Sequence, residues 1–189
     1  GASIHLRDKI LLTIGTPANN SELIRDLAQN KASYFGKIIE IDKNDLDNLN
    51  YNKDNNLNVK IFSLGHRNPQ GMAKINDNIF SSEHGPKGGD EVNYIQQNLN
   101  YGWPVSSYGT KYFLEPSDTY NKGDKLLKYY KNSHTKYGFE EPILQFTPSI
   151  GISSLTNCPE VLIKFYERKN CLLANSLREK SLYIIILDE

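Results

Sequence analysis

The chain has 189 residues and a mass of 21.5 kDa, enough for one sizeable core or two small ones. Lys+Arg and Asp+Glu balance at 22 each with a pI near 7.1, so there is no basic field to hold nucleic acid or anionic lipid, and a small neutral ligand fits better. No apolar run approaches the ~20 residues a membrane-spanning helix requires, and no charged start followed by an apolar run marks a signal peptide.

The chain opens on "GASIHLRDKILLTIG", which enters a strand almost at once, as an internal piece of a longer chain would; a cloning remnant at Gly1-Ala2-Ser3 is the other reading. Short apolar or alternating runs then recur as "KILLTIG", "GKIIEID", "VKIFSLG", "MAKINDNIFSS", "EVNYI", "EPILQF", "NCLLANS" and "SLYIIILD". Each is bounded by Gly, Pro, Asn or Asp, which supply turn geometry and end pairing, so each is expected to be a strand. Within "MAKINDNIFSS" the Asn76-Asp77 pair is expected to turn a tight hairpin. Only "NSELIRDLAQNKASYF" has helical spacing, with Leu23, Ile24 and Leu27 on one face after a Ser21 cap, which predicts one short helix. The polar, Lys- and Tyr-rich "LEPSDTYNKGDKLLKYYKNSHTKYGFEEP" shows neither period and reads as a long loop. Many short strands with turn signals point to an all-β sandwich, barrel or propeller. Cys158 and Cys171 form no disulfide framework and match no zinc spacing; two semi-buried thiols are the favoured expectation over a bridge between neighbouring strands.

Two segments carry candidate chemistry. "GHRNPQG" puts Arg67 and Asn68 after "VKIFSL", where Pro69 is expected to stop pairing. A guanidinium fork binds planar carboxylates through two parallel hydrogen bonds, and an adjacent amide can donate and accept. Taken alone, "RNP" is more often a strand-end turn, and His66 beside it more often a packed imidazole than a catalyst. In "EHGPKGGDE", Gly85-Pro86 offers two backbone carbonyls in a bend, and calcium takes such oxygens. Taken alone, this too reads as a charged turn, and the spacing is not that of an EF-hand. In "NYGWP", Trp103 reads as a wedge between sheets ahead of a sugar-stacking platform.

Together, "GHRNPQGMA" and "SSEHGPKGGDEVNYIQQNLNYGWPVSSYG" closely resemble the signature of the glucose/sorbosone dehydrogenase family, soluble quinoproteins dependent on pyrroloquinoline quinone and built as six-bladed β-propellers. The resemblance extends upstream to "LLTIG" and "SYFGKIIEID", and downstream to "EPILQFTPSIGISSL" and "CLLANSLREKSLYIIILD". It implies an all-β partial propeller over residues 1–189, about half of the six-bladed ring, with open sheet edges available for self-association. It also implies oxidation of an aldose to a lactone by hydride transfer to the quinone, an electron acceptor of unknown identity, and a periplasmic or secreted location.

By motif position, the resemblance assigns Arg67 and Asn68 to the quinone, the carbonyls of Gly85 and Pro86 to calcium, and Ser149 and Arg178 to the cofactor's surroundings, with Glu83, His84 and Asp90 holding the bend. The family's general-base histidine falls upstream of Gly1, so no catalytic residue is assigned; His5 lies inside a strand and is not made the base. Further cofactor-binding arginines are expected beyond the present C-terminus. The alternative is a non-catalytic propeller that binds proteins or glycans, related to Hedgehog-interacting protein. A calcium-dependent lactonase would want converging acidic ligands, which the sequence does not display.

Overall fold

The computed structural model describes residues 1–17, 22–47, 49, 57–112, 130–167 and 170–187. Eleven strands among them form three antiparallel sheets. The first holds β1 (Ser3–His5), β2 (Lys9–Ile14), β3 (Lys37–Asp42) and β4 (Val59–Leu64) in that order. The second holds β5 (Pro69–Ile75), β6 (Asn78–Glu83), β7 (Asp90–Ile95) and β8 (Leu144–Phe146). The third holds β9 (Ile152–Asn157), β10 (Asn170–Ser176) and β11 (Ser181–Leu187). Each sheet is a meander whose first strand packs against the first strand of the next, β1 on β5 and β5 on β9. The three sheets are consecutive blades of a β-propeller, as expected.

The middle blade explains why its strands read as apolar runs with little clean alternation. Side chains alternate faces along a strand, and this sheet has a neighbour on both sides, so both sets must be apolar. Met72, Ile79 and Ile95 face the first blade and pack with Leu11, Ile38, Phe62 and Tyr101. Ala73, Ile75, Phe80 and Val92 face the third and pack with Ile152, Leu155, Leu172, Ala174 and Ile185. A one-residue slip in β5 or β6 would exchange these sets. The register is set by the expected hairpin, where Ile75 pairs with Asn78 and Asn76 takes the left-handed φ of 54°.

Several expectations are corrected. Pro69 does not stop pairing; it is the first residue of β5 and opposes Glu83, a position where a missing N–H costs no ladder bond. Arg67 and Asn68 therefore sit in the connection between two blades. The expected helix is a single short turn, α1 (Glu22–Asp26), and Ser21 lies outside the described residues. Two further short helices occur, α2 (Lys43–Asp47) and α3 (Glu160–Phe165). The segment after α1 is held by Lys37, whose buried ammonium donates to the carbonyls of Leu27, Ala28 and Phe35 at 2.8, 2.8 and 2.9 Å. Much of the expected long loop, 113–129, lies outside the described residues, while 135–137 form a 3-10 turn.

Cys158 and Cys171 are not free thiols but a disulfide, with Cα atoms 5.4 Å apart. Their strands β9 and β10 are neighbours, and Cys158 N donates to Cys171 O at 2.9 Å, so pairing brings the sulfurs together at the base of the connection carrying α3. Replacing both cysteines by serine should lower unfolding free energy by about 2–4 kcal/mol. Denaturant titration of oxidised wild type against the double variant checks this, and equal midpoints would show the bridge to be dispensable.

Candidate functional site

Among the inter-strand connections that reach one rim of the blades are 65–68 before β5, 84–89 between β6 and β7, 147–151 before β9, and 177–180 after β10. Antiparallel meanders alternate their turns between the two rims, so connections two strands apart share an end. This brings together residues more than a hundred positions apart in sequence, including every residue assigned above from the motifs.

A continuous set of hydrogen bonds joins them. Asn68 O accepts from His84 N at 3.1 Å, and Arg67 Nη1 donates to His84 O at 3.0 Å, so the connection before β5 clasps the one after β6. Gly85 N donates to Asp90 Oδ1 at 3.2 Å. Asp90, at the start of β7, also accepts from Ser149 Oγ at 2.7 and 2.9 Å and from Ile152 N at 3.1 Å. Arg178 Nη1 donates to Ser149 O at 2.9 Å, closing the series. Asp90 thus holds the Gly85-Pro86 bend, as the sequence reading expected. The Ser149 hydroxyl proton is committed to Asp90, and Gly151 N donates to its oxygen at 3.1 Å.

The bend itself is crowded. A Cβ on Gly85 would run into the carbonyl oxygens of Gly88 and Gly89, and Gly89, at φ 69°, abuts the backbone of Gly109. Only glycine fits the chain here. Among the described residues, no hydrogen bond is made to the Gly85 carbonyl, whereas Pro86 O accepts from Tyr112 Oη at 2.8 Å. A carbonyl without a partner beside a second one on a rigid bend is a donor set suited to a hard cation, which takes carbonyl oxygens and waters together.

Arg67 is held by an aromatic ring and a carbonyl. Its guanidinium lies 5.4 Å from the centre of the Trp103 ring and its Nη1 donates to His84 O at 3.0 Å, the one hydrogen bond this guanidinium makes among the described residues. Burial pulls the guanidinium below its ordinary pKa, opposed by nearby Tyr112, Tyr130, Glu83 and Asp90. Trp103 is itself buried, so it is no sugar-stacking platform; it is the floor beneath Arg67 and tilts against Tyr130 at 5.2 Å. Gln29 fixes that floor, donating to Trp103 O at 2.6 Å and exchanging hydrogen bonds with the Asn100 amide.

Beneath the bend lies a polar layer. His66, fully buried, stacks on Tyr101 at 4.7 Å, is hydrogen-bonded to Ser63 Oγ at 2.8 Å and lies 3.4 Å from Glu83. It is the packed imidazole expected. Burial, with Glu83 adding to it, pushes the Glu91 carboxyl well above the usual carboxylate range. Burial pulls His134 down, so at its 3.5 Å contact with Glu91 both shifts favour the neutral forms over an ion pair.

Sequence reading missed Trp103 as the support of Arg67, Tyr112, and the Glu91–His134 contact. The first has a signal, an aromatic ring in a motif that already contains the arginine; the other two depend on a fold that joins distant segments. Asp90→Asn should cost about 1.5–3 kcal/mol, because the amide leaves facing donors unmatched. Ser149→Ala should cost less, since Asp90 keeps two backbone donors. Chemical denaturation of the two variants ranks them, and the reverse order would remove Asp90 from its central place.

The family model for Glucose / Sorbosone dehydrogenase matches residues 1–189. The chain is 29% identical over 191 aligned positions to aldose sugar dehydrogenase YliI of Escherichia coli, covering 98% of this chain and 47% of that protein. It is 38% identical over 78 residues to quinoprotein glucose dehydrogenase B of Acinetobacter calcoaceticus, covering 40% of this chain and 16% of the relative. The crystal structure of the soluble aldose sugar dehydrogenase from Escherichia coli in the apo-form superposes with a TM-score of 0.70 at 25% identity, over 96% of this chain and 48% of that one. The chain spans about half the length of the two E. coli proteins it matches along almost its whole length. With its full extent matched by the family model and its blades by a solved relative, the chain belongs to the glucose/sorbosone dehydrogenase family.

Proposed function

We propose that this chain is the central portion of a quinoprotein aldose dehydrogenase and carries one arc of its cofactor site within a six-bladed ring. The observation that supports this most is the hydrogen-bonded series from Asn68 through His84, Gly85, Asp90 and Ser149 to Arg178, in a member of a dehydrogenase family. When bound, pyrroloquinoline quinone supplies the two-electron acceptor for oxidising an aldose to its lactone, and calcium polarises the reactive carbonyl.

The chain's own residues bind and orient. Arg67 and the Asn68 amide would bind the quinone's carboxylates; Asn68 Oδ1 accepts from Gln70 Nε2 at 2.7 Å, so its NH2 group is the end it would present. Gly85 and Pro86 would hold the cation through their carbonyls. Ser149 acts through its backbone, aiming Arg178, which is exposed and brings a positive charge to the far side of the site. The general base is assigned to none of these residues, and His5 sits in β1.

The disulfide supports an extracytoplasmic location, since such bonds persist in oxidising compartments. Among the described residues no helix is long and apolar enough to cross a membrane. The named relatives with an assigned activity are dehydrogenases, and nothing among them favours the binding-module reading.

Titration of the chain with pyrroloquinoline quinone and calcium, followed by dye reduction with glucose and other aldoses, tests the assignment. Quinone binding that requires calcium is expected. Arg67→Ala should weaken it by about 1.5–3 kcal/mol through loss of a charge-assisted contact, with Arg67→Lys intermediate because a point charge cannot form the fork. Equal binding by all three proteins would remove Arg67 from the site.

A further inference from the structure

The outer wall of the site is formed by residues 107–112, which lock onto the Gly85-Pro86 bend. Lys87 and Thr110 form an antiparallel bridge, with Lys87 N donating to Thr110 O at 3.2 Å and Thr110 N to Lys87 O at 3.0 Å. Gly109 packs so closely that an added Cβ would meet Pro86 Cδ and Cγ at 2.8 Å. The bridge carries the chain directly to Tyr112, two residues on. Its side chain is 57% exposed, yet its hydroxyl is aimed inward and donates to Pro86 O at 2.8 Å.

We propose that Tyr112 is a positioning residue that competes with a divalent cation for the Pro86 carbonyl. The proposal rests on the reading that Gly85 and Pro86 take calcium. A cation would approach that oxygen to about 2.3–2.6 Å, nearer than the phenol oxygen stands, and the hydroxyl proton now pointing at the carbonyl would face it. The Pro86 carbonyl has two lone pairs; for the cation to take the one the phenol now holds, the phenol must swing outward or turn its proton away. The exposed ring has room to do so. The hydroxyl holds the bend in one shape and lowers cation affinity by the fraction of time it is engaged, as any equilibrium between a competent and a non-competent form does. A net hydrogen bond of ordinary strength corresponds to about a fivefold effect.

The test is calorimetric titration of the 189-residue chain and its Tyr112→Phe variant with calcium, alongside the NMR signals of Tyr112 in the wild type. The variant removes one oxygen and keeps the ring, and thermal melting without calcium checks that it folds alike. Expected are about fivefold tighter calcium binding by the variant and a shift of the Tyr112 ring signals as calcium is added to wild type. Equal affinity with unmoved signals would overturn the proposal while leaving the calcium reading intact. Weaker binding by the variant would overturn it by making the hydroxyl a ligand. Binding by neither protein would overturn the calcium reading and the competition with it.

Discussion

Asp90 is the constraint on which the site's geometry rests. Its two oxygens receive the Ser149 hydroxyl and the amides of Gly85 and Ile152, so one carboxylate ties the middle blade's loop to the first turn of the third blade. A buried carboxylate is tolerated only when donors and neighbouring positive charge replace the water it has lost, and Arg67 lies close enough to act on Asp90. Those donors are backbone amides and a fixed hydroxyl, which cannot leave without unfolding a strand end. The requirement to satisfy Asp90 therefore becomes a requirement that two blades keep their relative position. Hydrophobic contact between their faces is non-directional and would allow sliding by a fraction of an ångström; the carboxylate does not.

Below that tie, the molecule places titratable groups where an apolar core would be more stable. Glu83, Glu91, His66 and His134 are all buried, and burial drives Glu91 and His134 toward their neutral forms. Neutrality lowers the cost of burying them but leaves a demand for hydrogen bonds, met here in part by Ser63, Ser106 and Asn93. Such a layer accepts one arrangement of its members, because a half-satisfied network is more costly than none. Above it, Arg67 rests on Trp103 and Gly85 on the Gly88-Gly89 turn, so the groups offered to a ligand inherit the rigidity of the layer beneath.

The strands were legible because one physical rule produced both their sequence and their packing: faces between blades must be apolar. That rule fails where a strand lies on the inner edge of a blade or beside a covalent constraint. β9, "ISSLTN", shows a serine and threonine pattern and was passed over, yet Ile152 and Leu155 are core residues on its buried face. β1 is three residues long and α2 and α3 a turn or so each, below the length at which periodicity can be seen. The disulfide, a bridge between neighbouring strands, ranked behind two free thiols for a different reason: deciding for it needs the knowledge that β9 and β10 are neighbours. The motif residues could be read from type and order alone. Their partners could not, since Asp90 and Ser149 are 59 residues apart and Pro86 and Tyr112 are 26.

The site consequently divides into parts with different mechanical character. Backbone oxygens of the Gly85-Pro86 bend are fixed by glycine contacts and by Asp90, so their separation is set before any ligand arrives. Arg67 is half-buried with one nitrogen committed, and Arg178 is exposed with its hold on a single carbonyl. Charge at the fixed end is thus presented by dipoles and at the open end by a cation on a long side chain. The planar, carboxylate-bearing quinone proposed above would suit that gradient, with its metal-binding edge toward the fixed oxygens and its remaining charge toward a guanidinium that can follow it. The ordering cost of binding such a ligand would fall on the exposed side chains of the arc, Arg178 and Tyr112 among them.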